Sequence, residues 1–195
     1  SIVMPFEYEG RTKKALEGLA ELKSAGINSQ IVIENEKILT KCPDMNFGQQ
    51  QKRVDEVLNN AVLSIIRLII VPSNQNIDFA DATNAFTEPG GVFMSIGTDA
   101  DSIDKALENA FNNELVKNND IKGAKKIMFG LTASDSEFTM QDVAKAITKL
   151  KDSAAVGDDV EVFVGFRIDN KMDRRKEVII IATGIQDAGA PIGRT

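Results

Sequence analysis

The sequence predicts an α/β fold in which a long central helix joins a small N-terminal piece to a C-terminal α/β domain with a mixed four-stranded sheet. Three observations predict it. Val54, Val57, Leu58, Ala61, Val62, Ile65, Ile66 and Ile69 keep a helical apolar repeat that no other stretch sustains as long. From Gly91 onward the patterns read strand, helix, strand, helix, strand, strand, the order of helices packed on a mixed sheet. The stretch before the long helix holds two strand patterns and one helix pattern, too little to bury a core alone.

Taken in order, Ile2 to Phe6 reads as a strand. A helix follows from about Gly10 to Ala25, with Ala15, Leu16, Leu19, Ala20 and Leu22 on one face and Gly26 as its stop. Ser29 to Ile33 reads as a second strand, and Asn35 to Asn46 as polar and irregular. The long helix runs from about Phe47 to Val71, roughly 37 Å at 1.5 Å per residue, and Pro72 ends it. Its second half is apolar nearly all round, which predicts burial between two packed bodies. A short helix then ends at Pro89-Gly90-Gly91. Beyond it come strands at 91–97, 124–131, 160–168 and 177–185, with helices at 102–116 and 139–154 between the first three. Thr139 and Asp142 suit the cap of the last helix. The tail, 186–195, is rich in Gly, Ala and Pro and is expected to be flexible.

Composition narrows the function classes. A net charge of −6 argues against a nucleic-acid surface and offers no pull toward anionic lipid. The apolar run from Leu63 to Pro72 contains Ser64 and Arg67 and is too short to span a bilayer. No signal-peptide pattern opens the sequence. One cysteine, Cys42, rules out an internal disulfide and fits a reducing cytoplasm. The absence of histidine removes a Ser-His pair and disfavours zinc, so no metal site is expected.

The most informative stretch is Asn76-Ile77-Asp78-Phe79-Ala80-Asp81, two carboxylates three residues apart between the long apolar helix and a short one. By composition alone, Asp78 is a helix N-cap. The context says more. Pro5-Phe6-Glu7-Tyr8-Glu9-Gly10, Ile31-Val32-Ile33-Glu34-Asn35, Val54-Asp55-Glu56-Val57-Leu58, the Asn76–Asp81 loop, Gly90-Gly91-Val92-Phe93-Met94-Ser95-Ile96-Gly97, Gly123-Ala124-Lys125-Lys126-Ile127 and Ile181-Ala182-Thr183-Gly184 follow one another in a set order. In that order the chain resembles the FtsZ family, bacterial tubulin-like cell-division GTPases, over nearly its whole length.

The resemblance implies a domain plan. Residues 1–45 would be a remnant of the nucleotide-binding GTPase domain, 46–72 the central core helix, and 73–185 the C-terminal tubulin/FtsZ-like domain. It also implies sites. Glu9 would accept from the ribose hydroxyls, and Asn35 and Asp55 would contact guanine; an acceptor-only carboxylate suits each of its tasks. Lys13 stands where the family usually has arginine, and Gln51 where it usually has a base-stacking phenylalanine. Lysine loses the planar fork, and glutamine loses stacking of about 1 kcal/mol. Arg11 lies close enough to substitute, though on the helix it would face another way. Asn76, Asp78 and Asp81 would be catalytic, orienting water on the nucleotide of the next subunit in a filament.

The family's Gly-rich phosphate loop has no counterpart here, and Gly90-Gly91 suits a turn. The expectation is therefore a fragment that carries the catalytic loop without the phosphate cradle, inactive alone and without GTP or GDP, which would belong to the complete protein. Implied partners are further copies, head to tail, and division-machinery proteins, in the cytoplasm at the division site. No nucleic acid and no direct membrane contact are expected, and the family's tether-binding C-terminal peptide has no match in Gln186 to Thr195. The alternative is a non-enzymatic tubulin-like assembly or filament-capping module, favoured by Lys13, Gln51 and the missing phosphate loop.

Overall fold

In chain order the elements are β1 (Ile2–Met4), α1 (Thr12–Ser24), β2 (Ser29–Gln30), β3 (Val32–Glu34), α2 (Asn35–Lys41), α3 (Phe47–Ile65), α4 (Phe79–Phe86), β4 (Gly90–Asp99), α5 (Ile103–Phe111), β5 (Lys126–Ala133), α6 (Met140–Ala154), β6 (Glu161–Ile168) and β7 (Lys176–Ile185). This computed structural model describes residues 2–27, 29–41, 43–112, 121–135, 139–154 and 160–185. The expected flexible tail and the end of the 102–116 helix pattern fall outside them.

The main sheet is mixed, in the order β2-β4-β7-β5-β6. β7 runs antiparallel to both β4 and β5, while β5 and β6 are parallel. The four long strands are the four that the Val- and Ile-rich patterns predict. The fifth is a correction. The strand expected at Ser29 to Ile33 breaks at Ile31 and serves two sheets: β2 pairs with the start of β4, and β3 pairs in parallel with β1. The Ile31 carbonyl accepts from Ile2 N–H at 2.8 Å, so the break satisfies its backbone through β1. A five-residue apolar pattern cannot show that its two halves have different neighbours.

Helices cover both faces of the main sheet. α5 and α6 bury Phe93, Leu107, Ile127, Phe129, Leu131, Leu150 and Ile180 on one side. The end of α3, the following turns and α4 bury Leu68, Ile77, Ala85, Met94, Met128 and Ile181 on the other. A helix packed this closely needs small neighbours. Gly97 lies against the backbone of Ala106 and Ala110 in α5, and Leu68 fills the space over Gly130.

Two further corrections concern helices. The long helix is α-helical only to Ile65 and continues as a π-helical turn, Ile66–Ile70. That wider turn carries Arg67 toward the sheet, where Nη1 meets Glu177 Oε2 of β7 at 2.5 Å. The stretch expected to be irregular after Asn35 contains α2. It follows β3 directly and lacks a spaced apolar face in sequence, so periodicity gave no sign of it.

Candidate functional site

The candidate residues fall into two groups, one at the N-terminal strands and one beyond the far end of α3. The parallel pairing of β1 and β3 sets Met4 level with Glu34, so the segments leaving both strands lie side by side. They enclose a concavity of about 410 Å³ lined by Val3, Met4, Pro5, Glu9, Arg11, Lys14, Ala15 and Asn35. Glu9 and Asn35, far apart in sequence, thereby share one cavity. Asn35 is 8% exposed, and its buried Oδ1 has no hydrogen-bond partner. An orphaned buried acceptor costs about 1–3 kcal/mol unless something donates to it, so this oxygen is well suited to a ligand N–H.

Glu9 is held from two directions. Its Oε1 accepts from Phe6 N–H at 3.1 Å, and its Oε2 pairs with Arg11 Nη2. The Arg11 guanidinium, and then the Phe6 amide, hold the Glu9 carboxyl below its ordinary range. Gly10, at φ 66°, makes the left-handed turn that brings Arg11 back over Glu9. Arg11 thus stands before α1, at its N-cap, and lines the cavity, facing another way than Lys13.

The other matched positions lie elsewhere. Lys13 is exposed on α1 and does not line the cavity, whereas Lys14 does. Gln51 and Asp55 are exposed on α3, outside the lining, and Gln50 next to them is the buried one. Arg11, which the sequence offers as a substitute cation, lines the cavity, and Lys14 is the lining cation that spacing missed. The only available signal for Arg11 was its position two residues after Glu9.

The second group is a rigid loop. Gln75 exchanges both backbone hydrogen bonds with Phe166 of β6, at 3.1 and 2.9 Å, and its side chain donates to the Val164 carbonyl. Asn74 Oδ1 accepts from Ile168 N–H at 2.8 Å. Gly165 gives the loop room, since a Cβ there would sit 3.1 Å from the Gln75 carbonyl. Ile77 is buried, and this anchoring leaves Asn76 and Asp78 exposed on either side of it. Asp78 caps α4, its Oδ1 accepting from Ala80 N–H at 2.9 Å, and Asp81 is half-buried in the first helical turn. Phe79 between them is 73% exposed.

Asp55 and this loop are separated by the rest of α3 and the π-helical turn, a rise of roughly 20 Å. Among the described residues, none of the Asn76–Asp81 loop lines the cavity. Among the described residues no helix is long and apolar enough to cross a membrane, and no cluster of acidic, Cys or His side chains could hold a metal ion.

Residues 90–186 match the FtsZ family, C-terminal domain. Over 190 residues the chain is 35% identical to cell division protein FtsZ of Helicobacter pylori, covering 95% of this chain and 49% of that protein. It superposes on an FtsZ dimer structure from M. jannaschii with a TM-score of 0.76 at 28% identity, covering 95% of this chain and 54% of the other. The TubZ of Bacillus thuringiensis serovar israelensis, solved as GDP-form protofilaments, shares the fold at 12% identity and a TM-score of 0.61, over 95% of this chain and 56% of that one. The chain thus spans about half the length of these relatives. With a C-terminal-domain match at one end and similarity to FtsZ over nearly all its residues, the chain belongs to the FtsZ family of tubulin-like cell-division proteins.

Proposed function

We propose that this chain is part of a GTP-hydrolysing filament protein and supplies the catalytic loop to the nucleotide of the next subunit. The observation that carries this reading is that the Asn76–Asp81 loop lies beyond the far end of α3, roughly 20 Å of helix past Asp55, and lines no part of the cavity that holds Glu9 and Asn35. The reading therefore gives the loop to another copy's nucleotide. A head-to-tail contact brings one copy's loop to another copy's cavity. The dimeric FtsZ and the GDP-form protofilaments among its structural relatives support self-association and a guanine nucleotide.

In this reading Glu9 takes ribose hydroxyls, while Asn35 and Asp55 take the guanine edge. The orphaned Asn35 Oδ1 supports a donor at that position. Asp78, Asp81 and Asn76 orient a water on the γ-phosphate. As the water oxygen bonds to phosphorus, the bond to the β-bridging oxygen breaks and a carboxylate takes up the proton, leaving GDP and phosphate. Asp78 can cap α4 with Oδ1 and still offer its other oxygen. Asp55, Lys13 and Gln51 all stand outside the cavity lining, so in this reading they meet the nucleotide at the rim of the site. The whole protein works in the cytoplasm at the division site beside division-machinery partners.

The test uses the full-length protein. Asp81→Ala should abolish turnover, leave nucleotide binding intact and lengthen filament lifetime. Mixed with wild type, it should lower turnover more than dilution does, because each variant subunit silences its neighbour's nucleotide. A strictly proportional decline would mean that each subunit hydrolyses its own GTP. Wild-type filaments without turnover would favour the non-enzymatic assembly module instead.

A further inference from the structure

We propose that Arg11 is an exchangeable cation that competes with the ligand's sugar for Glu9 and, once displaced, binds the ligand's phosphate. The inference rests on the nucleotide reading of the cavity and adds to it the order in which charges change partners.

The geometry sets the guanidinium and a ligand diol in competition. Glu9 Oε1 is committed to Phe6 N–H, a bond that closes the turn before α1. Its Oε2 is the oxygen that faces Arg11. A vicinal diol that spans both carboxylate oxygens has to share Oε2 with the guanidinium crowding it, so the two compete for that oxygen. Arg11 is free to move: its side chain is 70% exposed, and it makes no side-chain cap to α1. Exposed ion pairs are weak because water screens them and long side chains lose entropy in them. Once released, the guanidinium remains at the rim of the same cavity, with Lys14 as a second cation there. A phosphate oxygen pair matches its planar fork as well as a carboxylate does and carries more charge.

Two consequences separate this from simple electrostatic attraction. Removing Arg11 helps a ligand that has sugar hydroxyls but no phosphate, because its competitor for Oε2 is gone. The same change harms a ligand that has both. A general supporting role for Arg11 would instead move both ligands the same way. The family's usual cation aligns with Lys13, which lies outside the lining, so Arg11 is the cation placed to act here.

The experiment is a chemical-shift titration of the full-length protein with guanosine and with GMP, in wild type, Arg11→Ala and Arg11→Lys. Arg11→Ala is expected to tighten guanosine about threefold and weaken GMP about tenfold. Arg11→Lys should recover part of the GMP affinity through charge but not the fork. Because Arg11 is exposed and caps nothing, the variants should keep the wild-type amide spectrum away from the cavity. If Arg11→Ala weakens both ligands in parallel, or changes neither, the exchange is wrong while the cavity remains a nucleoside site. If neither ligand shifts Glu9 or Asn35 resonances in any of the three proteins, the nucleotide reading of the cavity fails and the exchange fails with it.

Discussion

The two sheets of this molecule are stabilised very differently. Every residue of β7 is buried, β5 is buried along nearly its full length and β4 through its middle, between α5/α6 and the α3 end with α4. The β1/β3 pair has three residues a side, leaves Val3 39% exposed, and gathers a core of only Ile33, Val54 and Val57 with their neighbours. Parallel strands are normally buried on both faces, so the small sheet is the weakly held one. Yet it carries the cavity, the orphaned Asn35 oxygen and the Glu9–Arg11 pair. The lesson is a division of labour. Residues 90–185 hold the fold and present a rigid loop, while the N-terminal strands offer unsatisfied groups to a ligand.

Glycine substitutions should expose this contrast most strongly. Gly97→Ala drives a methyl into the backbone of Ala106 and Ala110, which cannot move without shifting α5. It should cost about 3 kcal/mol or more, seen as a lowered urea midpoint for the main sheet. Gly10→Ala meets no atom within 4 Å and has only its φ of 66° to oppose it. It should cost about 1 kcal/mol, read from the loss of order around Glu9. Equal effects in urea titrations would remove the distinction between the two regions.

The ion pair that joins α3 to the main sheet comes next. Glu177 is 6% exposed, so Arg67→Ala leaves a buried carboxylate alone. A loss of about 2 kcal/mol is expected, below the value for fully buried pairs because Arg67 is partly in water. Replacing both, Arg67→Met with Glu177→Leu, should restore most of it. A double variant no better than the single one would show that the pair acts through hydrogen-bond geometry that apolar packing cannot replace.

The legible parts of the chain were those where local pattern and tertiary role agree. The four long strands and α5 and α6 alternate or repeat as their burial demands, so their existence and order could be read directly. The split at Ile31 could not, because β2 and β3 differ only in which strand lies beside them. The helix α2 was hidden for a related reason: a seven-residue helix after a strand has too few turns to show a period. In the cavity, Glu9 and Asn35 were chosen by resemblance, but their meeting depends on the parallel pairing of β1 and β3, which no spacing encodes. The direction of Arg11 comes from the left-handed turn at Gly10 before α1 begins, which helical spacing does not describe.

The smallest predicted effect lies in the helix caps, where the two regions differ in chemistry. α3 starts with a neutral box: Asn46 Oδ1 accepts from Gln49 N–H at 3.0 Å, and Asn46 N–H donates to Gln49 Oε1 at 2.8 Å. α6 starts with an ionised one, in which Asp142 Oδ2 accepts from Thr139 N–H at 2.9 Å and from its hydroxyl at 2.8 Å. The Thr139 amide, then its hydroxyl, hold the Asp142 carboxyl below its ordinary value of 3.8. A carboxyl depressed in the folded state stabilises above its unfolded pKa and loses that contribution as pH falls through the folded value. The α6 cap should therefore weaken only below about pH 4, while the α3 cap should not respond to acid. Asn46→Ala should cost about 1 kcal/mol at pH 7 and at pH 3 alike. Asp142→Asn should cost a few tenths of a kcal/mol at pH 7, since the site is well screened, and less than that at pH 3, where the carboxyl is losing its charge. Urea titrations of both variants at the two pH values decide the matter. A constant penalty for Asp142→Asn across that range would mean that the carboxylate's charge contributes nothing and that the two caps differ only in name.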